Sequence, residues 1–361
     1  MKKIYNFSAG PACLPQEALA SSIEAIKNFK ESGISLLEMS HRSVPVVDLF
    51  EETTNNIFEL LNIPKNYSVL WLQGGASLQF SMVPMNLLPV GGSADYIDTG
   101  SWSAKAIVEC GKFGKANVIG SSKESTYSYI PKDVQISSNA SYLHITSNNT
   151  IYGTQYKKFP KINNDNTLLV ADMSSDILSK PIDISKFGLI YAGAQKNIGP
   201  AGVTLVIIRS DLLEPKYRDL PTMMNYNTHA SKESMFNTPP VFSVCVVNET
   251  LKWLKQLGGL EEMSNINELK AGMLYEEIER NSLFRSPVNK EDASLMNVPF
   301  LFNNKEIDDK VFLDFCLFRG LTTLKGHRSV GGFRASIYNA MPQKGVEALI
   351  DSMQDFENRY S

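Results

Sequence analysis

Cysteine is scarce: Cys13, Cys110, Cys245 and Cys316 lie far apart among 361 residues and form no Cys-x-x-Cys pair. That excludes a disulfide framework and a zinc ribbon. The four histidines have no metal-ligand spacing, so no metal is expected. No run approaches the roughly 18 apolar residues of a membrane span, and Met1-Lys2-Lys3-Ile4-Tyr5-Asn6-Phe7-Ser8 lacks the apolar stretch of a secretory signal. A cytoplasmic chain is the expectation. An excess of one charge is also missing: Lys+Arg 35 against Asp+Glu 38 gives −3. Without a basic stripe, nucleic acid is not expected as the main partner, and any bound anion must be held by a few local groups. Neither the Walker A spacing nor Gly-x-Gly-x-x-Gly occurs, which counts against a P-loop or the usual dinucleotide site.

What is present is globular. Hydrophobic residues make up 43% and charged residues 20%, and the length suits about two domains. Residues from Pro15 to Ser32 place Leu19, Ile23, Ile26 and Phe29 at steps of three and four before Gly33, predicting an amphipathic helix with a glycine stop. A second helix is expected from Val46 to Leu61. Short apolar runs then alternate with helical windows: Val69 to Leu72, a helix from Ser77, Ala94 to Ile97, a helix from Ser101, Leu143 to Ile145, Leu168 to Ala171, Leu189 to Ala192 and Val203 to Ile208. This reads as an α/β unit with a mostly parallel sheet, its ligands at the carboxyl ends of the strands. From about Pro240 the pattern turns to long helices, Val241 to Gln256 and Leu260 to Ser282. A strand at Val298 to Leu301, a helix from Asp308 to Arg319, a strand at Phe333 to Ile337 and a helix after Pro342 follow. We place a boundary near Gly258-Gly259, giving a large domain over 15–257 and a small α+β domain over 258–361 joined by residues 1–14.

Lys196 stands among small residues directly after an apolar strand, in Gly193-Ala194-Gln195-Lys196-Asn197-Ile198-Gly199-Pro200. Such a setting admits a bulky ligand and, through partial burial, makes the amine a Schiff-base nucleophile; a lysine in a tight strand-exit turn is the blander alternative. Asp172 ends the preceding strand and, taken alone, reads sooner as a helix cap than as a ligand. Pyridoxal phosphate needs such a pair, a lysine for its aldehyde and a carboxylate for its pyridine nitrogen. Gly74-Gly75-Ala76-Ser77 between strand and helix could cradle a phosphate, or simply turn the chain. The pairs His41-Arg42 and His327-Arg328, with Arg334, suit a phosphate or carboxylate, though a surface ion pair is each arginine's commoner fate. Trp102, at a strand-to-helix junction, reads alone as a core anchor sooner than a stacking plate. His144 and His229 read as structural or solvated.

Several segments together carry a resemblance: Asn6-Phe7-Ser8-Ala9-Gly10-Pro11-Ala12, Ser40-His41-Arg42, Gly74 to Phe80, Gly193 to Gly202, Met235-Phe236-Asn237-Thr238-Pro239-Pro240, Lys325 to Arg328 and Arg334 to Pro342. In this order they resemble the phosphoserine aminotransferase family from end to end. The resemblance implies a fold-type I enzyme that binds pyridoxal 5′-phosphate, with a seven-stranded-type sheet, and a homodimer with active sites at the subunit interface. It implies that Lys196 forms the Schiff base, Asp172 pairs with the pyridine nitrogen, Trp102 stacks on the ring and Thr150 bonds the ring oxygen. Ala76, Ser77 and Gln195 would hold the cofactor phosphate, joined by Asn237 and Thr238 of a second copy. Arg334 would take the substrate α-carboxylate, and His41, Arg42, His327 and Arg328 its distal anion.

The implied reaction is a ping-pong transamination between glutamate/2-oxoglutarate and 3-phosphohydroxypyruvate/O-phosphoserine, extending by resemblance to 4-phosphohydroxythreonine. Some relatives carry arginine where this chain has Ser77, and others serine at Ala9. Rival readings are a serine–glyoxylate type of aminotransferase, which needs no cations for a distal phosphate, and a cofactor-free organophosphate-binding protein. A desulfurase would need a mobile loop cysteine, whereas Cys316 falls in an apolar helical run.

Overall fold

The structure, a computed structural model, describes residues 3–164, 166–214, 217–304 and 306–360. The ends of the expected small domain, Met1, Lys2 and Ser361, lie outside them. In chain order the strands are β1 (Tyr5–Asn6), β2 (Tyr67–Leu72), β3 (Ser93–Asp98), β4 (Lys115–Ser121), β5 (Ala140–Thr146), β6 (Leu168–Asp172), β7 (Leu189–Gly193), β8 (Thr204–Arg209), β9 (Phe284–Arg285), β10 (Asn297–Phe302), β11 (Leu321–Thr322) and β12 (Phe333–Ser336). The helices are α1 (Gln16–Lys27), α2 (Val44–Leu60), α3 (Gly75–Leu87), α4 (Ser101–Cys110), α5 (Tyr226–Ala230), α6 (Val241–Gln256), α7 (Gly259–Arg280), α8 (Asp309–Phe318) and α9 (Gln343–Tyr360).

Seven strands form one sheet in the order β2-β8-β7-β6-β5-β3-β4. β8 runs antiparallel to both neighbours and every other pairing is parallel. The near-continuous apolar runs read from the sequence have their cause here, because helices cover both faces. Alternate residues divide between the two cores: Leu169, Ala171, Ile190, Ala192, Leu205 and Ile207 pack toward one, Val170, Leu189, Tyr191 and Val206 toward the other. A third apolar cluster takes Phe7 from the N-terminal segment and residues from Ala271 to Phe356, around the antiparallel β12-β10-β9 sheet. β1 pairs with β11, so the first residues are tied to that part.

Several local expectations are corrected. The first helix ends at Lys27, where Asn28 turns extended, and not at Ser32. It buries Ala18, Ser22 and Ala25 while Leu19, Ile23 and Ile26 stay exposed, so the inward stripe is the small-residue one beside the stripe the periodicity marked. β4 escaped the sequence reading because it is an edge strand of half-exposed residues with no apolar run. The last strand, β12, ends at Ser336, one residue short of Ile337.

Candidate active site

Parallel pairing sets Asp172 opposite Tyr191 at the carboxyl edge of β6 and β7. Three residues beyond β7, in a turn closed by Ile198 and Gly199 N–H groups donating to the Ala194 carbonyl, the chain presents Lys196. The Lys196 Nζ donates to Thr150 Oγ1 at 2.7 Å and sits 5.2 Å from the centroid of the Trp102 ring. Burial pushes its pKa down to about 8; the Asp172 carboxylate pulls upward against this, and Arg334 pushes further down. Asp172 is held in a local turn, its Oδ1 accepting from Ser174 N at 2.9 Å and Ser174 Oγ at 2.6 Å. Burial raises its pKa, opposed by Lys196 and by these two donors.

Trp102 lies in the first turn of α4, after Gly100, with its indole N–H buried and unpartnered. Arg334, on β12, donates from Nη1 to the Thr150 carbonyl at 3.1 Å, so the small sheet carries a cation to the residue that touches Lys196. The N-terminal segment crosses the same place. Ala12 N–H donates to the Gln195 carbonyl at 2.9 Å, and a Cβ on Gly10 would lie 3.3 Å from Lys196 Cγ, which is why a residue without a side chain passes there.

Ala76 and Ser77 occupy the first turn of α3, whose cap, Gly74 at φ 87°, has no side chain to satisfy the free N–H groups. Those donors suit a phosphate. Gln195 begins the Lys196 turn. His327 Nδ1 accepts from Ser329 N–H at 3.2 Å, which leaves the neutral ring's proton on Nε2. Burial, then the charges of Arg334 and Arg328, hold its pKa below the ordinary histidine value. Arg328 is exposed beside it.

Lys196, Asp172, Thr150, Trp102 and Arg334 are therefore gathered, with His327 and Arg328 near Arg334. Within one chain, no described contact joins His41, Arg42, Asn237 or Thr238 to Lys196. Asn237 Nδ2 donates to Gln73 Oε1 at 3.1 Å, at the strand exit that leads into α3, and His41 Nε2 is buried without a partner. The sequence reading missed Ser174, which fixes Asp172, and Tyr338, whose hydroxyl donates to the Ala9 carbonyl at 2.7 Å. An Asp-x-Ser spacing signals the first; the second lies within the Arg334 to Pro342 segment, which does not single it out.

A flat phosphorylated pyridine aldehyde fits what is present: an amine of lowered pKa, a buried carboxylate at the end of the neighbouring strand, an indole face at the amine and free N–H groups at a helix start. A sequence profile of the aminotransferase class-V family matches residues 4–349. A curated phosphoserine aminotransferase of Flavobacterium psychrophilum is 51% identical over 99% of this chain and 100% of its own. A solved phosphoserine aminotransferase of Bacillus circulans subsp. alkalophilus superposes with a TM-score of 0.96 at 44% identity, covering 99% of both chains. The PLP-bound phosphoserine aminotransferase of Trichomonas vaginalis superposes at 0.92 with 39% identity, covering 98% of this chain and 100% of the other.

Proposed function

The chain belongs to the aminotransferase class-V family, among the phosphoserine aminotransferases, and from that premise we propose how its residues move an amino group between glutamate and 3-phosphohydroxypyruvate. The enzyme is a pyridoxal phosphate-dependent transaminase of fold type I. Bound pyridoxal phosphate supplies an aldehyde that exchanges amines and a ring that accepts the electron pair left when the substrate loses a proton.

The protein's own groups do the rest. Lys196 would hold the cofactor aldehyde and, once displaced by substrate, would take on Nζ the proton that leaves the substrate Cα and hand it to the carbon that had been the cofactor aldehyde. An amine whose pKa lies at about 8 can both take and give a proton near neutral pH. Asp172, pinned by Ser174, would keep the ring nitrogen protonated; Trp102 would lie on the ring, Thr150 would bond its oxygen, and Ala76, Ser77 and Gln195 would hold the phosphate. Arg334 would orient the α-carboxylate beside Lys196. His327 and Arg328, with His41 and Arg42, would take the distal phosphate or carboxylate, so one cationic set serves both half-reactions.

The reading includes a homodimer. Four expected ligands, His41, Arg42, Asn237 and Thr238, have no described contact with Lys196 in a single chain, which supports a site completed by a second copy. The division at 258 is retained as part of the proposal, supported by the separate apolar cluster of Phe7 and residues 271–356. No described helix is long and apolar enough to cross a membrane. Turnover of 4-phosphohydroxythreonine is a further expectation of the same anion site.

The observation that carries the reading is the Lys196 amine, of lowered pKa, bonded to Thr150 beneath the Trp102 ring. Borohydride reduction of the cofactor-loaded protein followed by peptide mass mapping should place the pyridoxyl adduct on Lys196 and nowhere else. An adduct on another lysine, or none, defeats the assignment; a cofactor-free organophosphate-binding protein would give none.

A further inference from the structure

Lys270 has no task in the chemistry above, yet it is fully buried on α7. Its ammonium meets backbone carbonyls instead of a carboxylate: those of Ile337 at 3.1 Å, Tyr338 at 2.8 Å, Asn339 at 3.5 Å and Met341 at 3.0 Å. An ammonium without a counter-ion is costly to bury, and these four carbonyls are the acceptors its N–H groups meet there. Burial pushes its pKa down to about 7, and Cys13 is the titratable group beside it.

The turn it grips joins the two halves of the site. The turn begins where β12 ends, two residues after Arg334 leads into Ser336. The Tyr338 hydroxyl reaches the Ala9 carbonyl, on the segment that crosses Lys196. Asn339 N–H donates to Asn197 Oδ1 at 3.0 Å, next to Lys196, and its Nδ2 donates to the Leu178 carbonyl at 2.8 Å. Asn267, one turn before Lys270 on α7, adds a bond to Asn339 Oδ1 at 2.9 Å.

We propose that Lys270 is a positioning residue for amino-group transfer: its ammonium clamps the Ile337–Met341 turn and thereby fixes the carboxylate-binding Arg334 and the Ala9 segment relative to Lys196. The proposal rests on the transaminase reading. It goes beyond it, because Lys270 touches neither Lys196 nor any expected ligand position. Loosening the turn lets the Arg334 charge drift from Lys196, and since that charge depresses the Lys196 pKa, the pKa rises.

The test is Lys270→Met in the cofactor-loaded enzyme, read by the pH midpoint of the visible cofactor band and by steady-state kinetics with glutamate. The midpoint is expected to rise by about half a pH unit. KM should rise about tenfold while kcat changes much less, because the carboxylate is held loosely in ground and transition states alike. Lys270→Arg, which keeps the charge, should restore both in part. If Lys270→Met does not accumulate as folded protein, Lys270→Gln is read in the same way. A variant with wild-type midpoint and KM overturns the role of Lys270 alone, whereas a wild-type protein with no visible band overturns the transaminase reading and this proposal together.

Discussion

At the scale of single residues, the site is a balance of charges in a poorly solvated place. Lys196 is pressed down by burial and by Arg334 and lifted by Asp172. His327 is pressed down by burial and by two arginines, with nothing to lift it. Its pKa therefore lies below the ordinary value in the free enzyme, and the ring is mostly neutral at pH 7. A dianionic substrate at Arg328 and Arg334 reverses the sign of the local field and raises that pKa, so binding takes up a fraction of a proton near neutral pH. Calorimetry of O-phosphoserine binding in buffers of different ionisation enthalpy should show this uptake, and His327→Asn should abolish it; no uptake by the wild-type enzyme would place His327 away from the anion.

Residues were also where the sequence was least complete. Lys196 and Asp172 stood out as candidates because each follows an apolar run that reads as a strand, and ligands collect at such ends. Lys270 was illegible: nothing in the pattern around it tells a buried ammonium from a solvated one, since its acceptors are main-chain carbonyls some seventy positions away.

At the scale of elements, the small sheet carries Arg334, to which the proposed function gives the substrate carboxylate. Its neighbour Phe333 is buried in a nest of rings, and Phe312 of α8 packs against it with ring centroids 4.9 Å apart. The same Phe312 ring meets Phe284 and Phe356 at 5.0 Å each. Emptying that position should destabilise the fold by about 3–5 kcal/mol. Phe312→Ala is accordingly expected to lower the denaturation midpoint clearly and to raise the KM for glutamate through Arg334. An unchanged midpoint would mean that these rings do not hold the sheet.

The helices and strands show why pattern reading works in the interior and falters at edges. β6, β7 and β8 are covered on both faces, so their middles are continuous apolar runs, Leu168 to Ala171, Leu189 to Ala192 and Leu205 to Ile208. β4 is a half-exposed edge strand, and α1 buries the small-residue stripe Ala18, Ser22 and Ala25 beside the larger apolar one. Periodicity reports that a stripe exists, while packing against α6 decides which one is buried.

At the scale of the whole molecule, a near-zero net charge is compatible with an enzyme for dianions if the few cations are placed together, as the proposed reading has Arg334 beside Lys196 and His327 and Arg328 near Arg334. The overall architecture was legible from the alternation of strands and helices. The assembly of the site was not, because the N-terminal segment, β12 and the turn after it reach Lys196 from opposite ends of the chain. The proposal as a whole stands on one half-reaction. Adding O-phosphoserine to the cofactor-loaded protein without any keto acid should bleach the visible cofactor band, and 2-oxoglutarate should restore it. Serine, which leaves the distal cations unpaired, should need concentrations at least about a hundredfold higher. No bleaching by O-phosphoserine, or equal bleaching by serine, would contradict the account.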